Sequence, residues 1–283
     1  MEIKKVGVVG CGTMGSGIVQ LCAQSGYQVV VSEINDQFLN KGLASIDKVL
    51  TRIVDKGKIS QADKDATLGR IKGTTNTGDF GDCDLVVEAA IENLDLKKKI
   101  IGELDGICRP DTILASNTSV LSVIDMAVVT KRMDKVLGLH FFNPVPVMKL
   151  LEIVRTIATS DETIAASVEF GKSLGKTTVI AQDKPGFIVN RLWVAYMLHA
   201  VRLLEEGYAS KEDIDSAITM GLNYPMGPLT LADFSGLDIL VFTADALYAE
   251  LKDPRYIAPT LLRKMVTAGW LGRKTGKGFY EYK

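Results

Sequence analysis

Six residues near the start of the chain, Gly10-Cys11-Gly12-Thr13-Met14-Gly15, restrict its fold more than any other stretch. They follow Lys5-Val6-Gly7-Val8-Val9 directly, an apolar run of the length of a buried strand. Behind them Met14, Ile18, Leu21 and Cys22 recur at helical spacing, so the glycines sit at a strand-to-helix turn. Gly10 permits the tight turn, Gly12 lets backbone approach a pyrophosphate, and Gly15 lets the helix pack closely on the strand. The helix start offers phosphates its unpaired N–H groups and positive dipole end. Taken alone, the pattern fits a ligand-free turn equally well.

The next strand separates the two readings. Gln28-Val29-Val30-Val31-Ser32 ends in Glu33, an acid about 20 residues beyond the glycines, where an adenosine ribose hydroxyl is gripped. A carboxylate there repels a 2′-phosphate, and Ile34, Asn35 and Asp36 supply no arginine. NAD is therefore expected over NADP.

Strands and helices alternate from here. Residues 36–70 read as a helix pair, too long for a simple crossover, with Phe38, Leu43, Ile46, Val49, Leu50 and Ile53 as one apolar stripe. Strands follow at Ile71–Thr75, Asp84–Glu88, Thr112–Ser116, Val136–Leu139, Leu150–Val154 and Thr177–Ile180. After Asp183 the alternation stops, and Lys184-Pro185-Gly186-Phe187 marks a boundary with Pro185 suited to a first helical turn. Asn190–Glu206 is apolar on more than one face, as a centrally buried or shared helix must be, and His199 within it reads as structural. The expected fold class is α/β: a Rossmann-type, mostly parallel sheet with a helical arm over residues 1–183, then an all-α domain over residues 184–283.

The formal net charge of −1 provides no field for nucleic acid or an anionic membrane surface. No run approaches the roughly 20 apolar residues of a membrane span. The N-terminal Met1-Glu2-Ile3-Lys4-Lys5 enters a strand at once, leaving no room for a targeting segment. Cys11, Cys22, Cys83 and Cys108 show no C-x-x-C pairing and no histidine cluster, so no metal or disulfide framework is expected, and the location expected is cytoplasmic.

The chemistry concentrates in Val136–Arg155, VLGLHFFNPVPVMKLLEIVR. His140 stands at the C-terminal end of one strand, where open α/β sheets bind ligands. Phe141 to Pro146 turns the chain, because two prolines break any backbone ladder. Glu152 lies inside the returning apolar strand, and an acid there is costly to bury unpaired. The nearest partner is His140.

This H-F-F-N-P corner, with the glycine turn and the C-terminal G-R-K-T-G-K-G-F-Y, resembles the 3-hydroxyacyl-CoA dehydrogenase family, most of all its short-chain bacterial members acting on 3-hydroxybutyryl-CoA. The likeness spans essentially the whole chain. It implies reversible hydride transfer between NAD(H) and the 3-hydroxyl or 3-keto group of a substrate such as acetoacetyl-CoA. His140 and Glu152 are then the acid/base pair, with Ser119 of S-N-T-S and Asn190 of K-P-G-F-I-V-N-R binding the reacting oxygen. It places Glu92 and Lys97 of the E-A-x-x-E-N-x-x-x-K pattern, Ser119, Asn143 and Lys274 at the cofactor, beside Gly10, Gly12, Thr13, Met14, Gly15 and Glu33. Lys56, and less directly Arg52, are implied at the CoA end of the substrate. A homodimer is implied as well.

Plainer readings stand beside these. Ser119 could belong to a helix cap, Lys97-Lys98-Lys99 to a wet helix face, and Lys56 and Arg52 to a solvated arm. The same two-domain plan also serves dehydrogenases of free hydroxy or sugar acids and non-catalytic NAD-binding proteins of the crystallin type. The chain departs from the family pattern at Tyr224 and over Leu231–Ser235, which leaves the acyl chain length open.

Overall fold

Apolar runs bounded by glycine and polar turns become the strands β1 Lys5–Val9, β2 Gln28–Ser32, β3 Ile71–Thr74, β4 Leu85–Glu88, β5 Ile113–Ser116, β6 Val136–Phe141, β7 Leu150–Arg155 and β8 Thr177–Gln182. The computed structural model describes residues 2–282. The chain divides into two units, Met1–Lys184 and Pro185–Lys283.

In the first unit all eight strands form one sheet in the order β3-β2-β1-β4-β5-β6-β7-β8. Every neighbouring pair is parallel except β6 and β7. The strand order reverses between β1 and β4, which opens a crevice at their carboxyl ends, where such sheets bind ligands. The central strands are apolar without alternation because helices cover both faces. Val8, Val31, Val87, Ala115 and Leu139 are among the buried residues of that core.

The covering helices are α1 Thr13–Gln24, α2 Asp36–Asp55, α3 Gln61–Leu68, α4 Leu94–Ile107, the short α5 Ile124–Ala127, and α6 Asp161–Ser173. Asn35 starts α2 by accepting from the Phe38 N–H at 2.9 Å. Ser60 and Asp63 form a reciprocal capping box for α3. The expected arm is thus a helical hairpin, but its buried stripe is Leu39, Gly42, Ile46 and Leu50, while Phe38 and Val49 are exposed. Two positions of the expected stripe were displaced by about one residue around the helix.

The antiparallel reversal is the part of the sheet that concerns function. β6 runs through His140 to Phe141, past the expected end at Leu139. Its register with β7 pairs Gly138 with Val154 and His140 with Glu152. The strand extends because the Phe141 N–H finds an acceptor in the Asn117 side chain at 3.0 Å.

The second unit holds α7 Val189–Glu205, α8 Lys211–Gly221, α9 Pro228–Ser235, α10 Leu237–Leu251 and α11 Thr260–Thr267. Pro185 lies in a turn before α7 and not in its first turn. Gly186 and Phe187 there both take positive φ, which a helix cannot use. α7 packs Val194, Met197, Leu198 and Val201 against Leu229, Leu240, Leu247 and Leu262, and His199 is exposed. Two buried carboxylates tie the unit together. Asp215 accepts from the N–H groups of Leu229 and Thr230 at the start of α9 and from the Tyr280 hydroxyl. Asp233 accepts from the Phe279 and Tyr280 N–H groups and the Tyr282 hydroxyl, each at 2.9 Å. Burial still pushes the Asp233 carboxyl above the usual carboxylate range. Among the described residues no helix is long and apolar enough to cross a membrane.

Gly138 is the tight point of the β6–β7 pair: a Cβ there would lie 2.7 Å from the Val154 Cβ. Gly138→Ala should destabilise the protein by about 1–3 kcal/mol through overpacking, read as a lower midpoint in urea denaturation.

Candidate active site

The crevice end of the sheet is built by five segments of the first unit, each following a strand: β1, β2, β4, β5 and β6. After β1, Gly10 takes φ +95°, which only glycine adopts without strain. A Cβ on Gly15 would fall within bonding distance of the Gly10 carbonyl oxygen, so α1 and the loop meet as closely as backbones can. Gly12 differs: a Cβ there would meet nothing within 4 Å, so the space in front of this loop is open. Gly12 caps α1 without any side-chain hydrogen bond, and Thr13 opens the first turn with Met14 partly buried behind it. A dipole end facing open space with no side-chain cap fits a phosphate.

After β2, the Glu33 carboxylate accepts from the Cys11 N–H at 2.7 Å and the Ile34 N–H at 3.1 Å. The acid is therefore held against the glycine loop. The loop thiol of Cys11 is buried, and burial raises its pKa to about 12 with Glu33 adding to the shift. All four cysteines are free and buried.

After β4 comes a fully buried charge pair. Glu88 ends the strand and accepts the Lys97 ammonium through both oxygens at 2.8 and 2.9 Å, together with the Ser116 hydroxyl at 2.6 Å. Lys97 is 1% exposed, so the wet-face reading of this lysine fails. Its hydrocarbon stem lies on the packed side of α4 and its ammonium reaches back to the strand end. Lys97 also lies 3.3 Å from Glu92. Glu92 in turn accepts from the Thr118 hydroxyl at 2.5 Å and the Ser119 N–H at 3.0 Å. Glu92 thus grips the loop that carries Ser119, and Lys97 pairs with Glu92 from behind. The Thr118 hydroxyl, not that of Ser119, accepts from the Leu121 N–H as a local cap.

After β6, the His140 imidazole and the Glu152 carboxylate meet at 2.6 Å through Nδ1 and Oε2, both side chains buried. They are directly opposite in the antiparallel register, so the contact follows from strand pairing. A carboxylate can only accept here, so Nδ1 carries the proton and Nε2 is the basic nitrogen of the neutral ring. The Phe142 ring stands against the imidazole with centroids 4.4 Å apart. Asn117, between Ser116 and Ser119, ties the β5 loop to this strand through Phe141. Sequence reasoning missed Asn117, Glu88 and Thr118. The buried acid at the end of β4, facing a lysine one loop later, was the available signal.

Other expected residues lie elsewhere. Asn143 is exposed on the corner after His140. Lys56 caps the C-terminal end of α2, with Arg52 one turn before it, at the end of that helix away from Glu33. In the second unit, Asn190 lies in the first turn of α7, and the Lys274 ammonium pairs with Asp238 at 2.6 Å.

Comparison with known proteins settles the family. Residues 5–184 match the 3-hydroxyacyl-CoA dehydrogenase NAD-binding domain, and residues 186–282 match the C-terminal domain of the same family. The chain belongs to the 3-hydroxyacyl-CoA dehydrogenases. Its first unit is an NAD-binding domain, and the chain is an NAD-dependent oxidoreductase of that family. It is 46% identical over 282 residues to 3-hydroxybutyryl-CoA dehydrogenase of Mycobacterium tuberculosis, covering 99% of each chain. It is 47% identical over 278 residues to the enzyme of that name from Clostridioides difficile, covering 98% of this chain and 99% of the other. The crystal structure of (S)-3-hydroxybutyryl-CoA dehydrogenase from Ralstonia eutropha superposes with a TM-score of 0.95 at 48% identity, covering all of both chains.

Gly12→Ala separates fold from cofactor. The added methyl meets no protein atom, so thermal stability should hold, while NADH affinity measured by fluorescence titration should fall at least tenfold as the methyl enters the phosphate space.

Proposed function

We propose that this dehydrogenase interconverts (S)-3-hydroxybutyryl-CoA and acetoacetyl-CoA, with His140 as the acid/base. The buried contact of His140 with Glu152 at 2.6 Å carries the reading, and the names of its relatives in Mycobacterium tuberculosis and Ralstonia eutropha support the substrate.

NAD(H), when bound, would supply the acceptor or donor of the hydride exchanged with C3. The chain's own residues handle the proton and the charge. In the oxidation direction Nε2 of His140 takes the hydroxyl proton as the C3 oxygen becomes a carbonyl. Glu152 holds the imidazole in the tautomer that leaves Nε2 basic, and its charge stabilises the imidazolium that forms. Ser119 is a neutral donor for the oxygen, where charge develops, and its N–H contact with Glu92 supports a fixed orientation. Asn190 keeps its expected role as a second donor, on the sequence match alone.

Gly10, Gly12, Thr13, Met14 and Gly15 bind the pyrophosphate in this reading, and Glu33 the adenosine ribose. Glu92, Lys97, Asn143 and Lys274 stay assigned to the cofactor side. Ile34 and Ile91, 83% and 74% exposed beside the ends of β2 and β4, suit the flat faces of the adenine. Lys56 and Arg52 meet the CoA phosphates, for which an exposed ammonium and guanidinium are apt partners. A homodimer belongs to the same reading, supported by the exposed Leu192, Met220 and Phe242 of the helical unit and by an apolar groove of about 330 Å³ bordered by Tyr196, Leu203 and Ile218. Its place is the cytoplasm, where four free thiols persist.

The test follows NADH absorbance with acetoacetyl-CoA, with NADPH in parallel. Rapid loss with NADH is expected, slower with NADPH. His140→Gln should lower kcat by about 10²–10⁴ while NADH still binds. Equal turnover by His140→Gln would remove the histidine from the mechanism, and turnover of a free 3-keto acid in place of the thioester would overturn the substrate.

A further inference from the structure

The corner between β6 and β7 is held by a residue outside the site described so far. Lys176, in the turn between α6 and β8, is 7% exposed. Its ammonium donates to the backbone carbonyl of Val145 at 2.6 Å and to that of Met148 at 2.5 Å. A lysine whose buried partners are carbonyls and not a carboxylate is a costly arrangement, and burial holds its pKa below the ordinary lysine value.

The corner needs a donor of this kind. Pro144 and Pro146 have no N–H to offer, so a reversal built on them lacks ladder hydrogen bonds, and its inward carbonyls must find partners elsewhere. Val145 is buried, and on its other side it packs on α1, where a Cβ on Gly17 would lie 2.9 Å from the Val145 Cβ. Next to Lys176, the Thr177 N–H donates to the Lys149 carbonyl at 2.7 Å and opens the β7–β8 pairing. The corner is thus gripped between the helix that follows the glycine loop and the turn that carries Lys176. Phe142, at its start, lies against the His140 ring.

We propose that Lys176 is a positioning residue for the dehydrogenase reaction: by fixing the carbonyls of Val145 and Met148 it sets the path of the corner, and through Phe142 the setting of the His140 imidazole. This rests on the reading of His140 as the acid/base. Strand pairing fixes the histidine backbone, and Glu152 fixes one ring nitrogen. The Phe142 ring adds a contact against the face of the imidazole. Displacement of a reacting group by about 1 Å costs on the order of 100-fold in rate.

The experiment compares Lys176→Met and Lys176→Gln with wild type and with His140→Gln, using acetoacetyl-CoA and NADH, and measures NADH binding by fluorescence and folding by circular dichroism. Expected is a fall in kcat of about 100-fold in a folded Lys176 variant, with KM for acetoacetyl-CoA and NADH affinity changed less than about threefold. A folded variant that keeps wild-type kcat while His140→Gln is inactive would overturn the positioning role alone. Loss of NADH affinity with kcat retained would do the same. If neither variant folds, Lys176 serves the fold only and the positioning role is withdrawn. Full activity in His140→Gln would remove the reading beneath it.

Discussion

One buried contact, between an imidazole on β6 and a carboxylate on β7, depends on the single antiparallel step in an otherwise parallel arrangement. Parallel neighbours could not place these two residues opposite each other so near in sequence, because a parallel connection needs a long crossover. The prolines of the corner supply the reversal, and the reversal supplies the register. The neighbouring segments brace that pair and the loop beside it. Asn117 secures β6 to the β5 loop, Phe142 lies on the ring, and the loop with Ser119 is anchored by Glu92.

That anchoring illustrates how buried charge can organise a loop. Glu88 and Lys97 are both hidden from water, an expensive placement unless the geometry is close and the remaining donors are met. Here they are met: Lys97 donates to both Glu88 oxygens and to the Ala90 carbonyl, and Glu88 also accepts from Ser116 and the Ala90 N–H. The segment between β4 and α4 has little apolar surface of its own, since Ile91 points outward. Its shape comes from these bonds, and with it the place of Glu92.

Much of this was legible from residue order because it depends on local pattern. The order of the strands, the glycine turn, Glu33 and the change to helices after Asp183 are all written in short-range pattern, whereas β6 and β8 run two residues past their expected ends. His140 and Glu152 were legible as a pair because an acid in an apolar strand demands a partner. What escaped depends on three-dimensional packing. Lys97 sits among three lysines of identical local character, and only the side of α4 that meets the sheet distinguishes it from Lys98 and Lys99. Phe38 and Val49 failed as core positions because a helix with apolar residues on two sides does not declare which one the sheet will cover. Asn117 and Lys176 bond to backbone groups distant in sequence, and such bonds leave no periodic trace.

The double engagement of Glu33 has a consequence for substitution. Its carboxylate closes the end of β2 and also receives the Cys11 N–H of the glycine loop. Exchanging the acid for a residue without an acceptor would strip that N–H of its partner and loosen the glycine loop. Any change at position 33 therefore acts on the end of β2 and on the glycine loop at once, and a tolerated one must supply another acceptor for the Cys11 N–H.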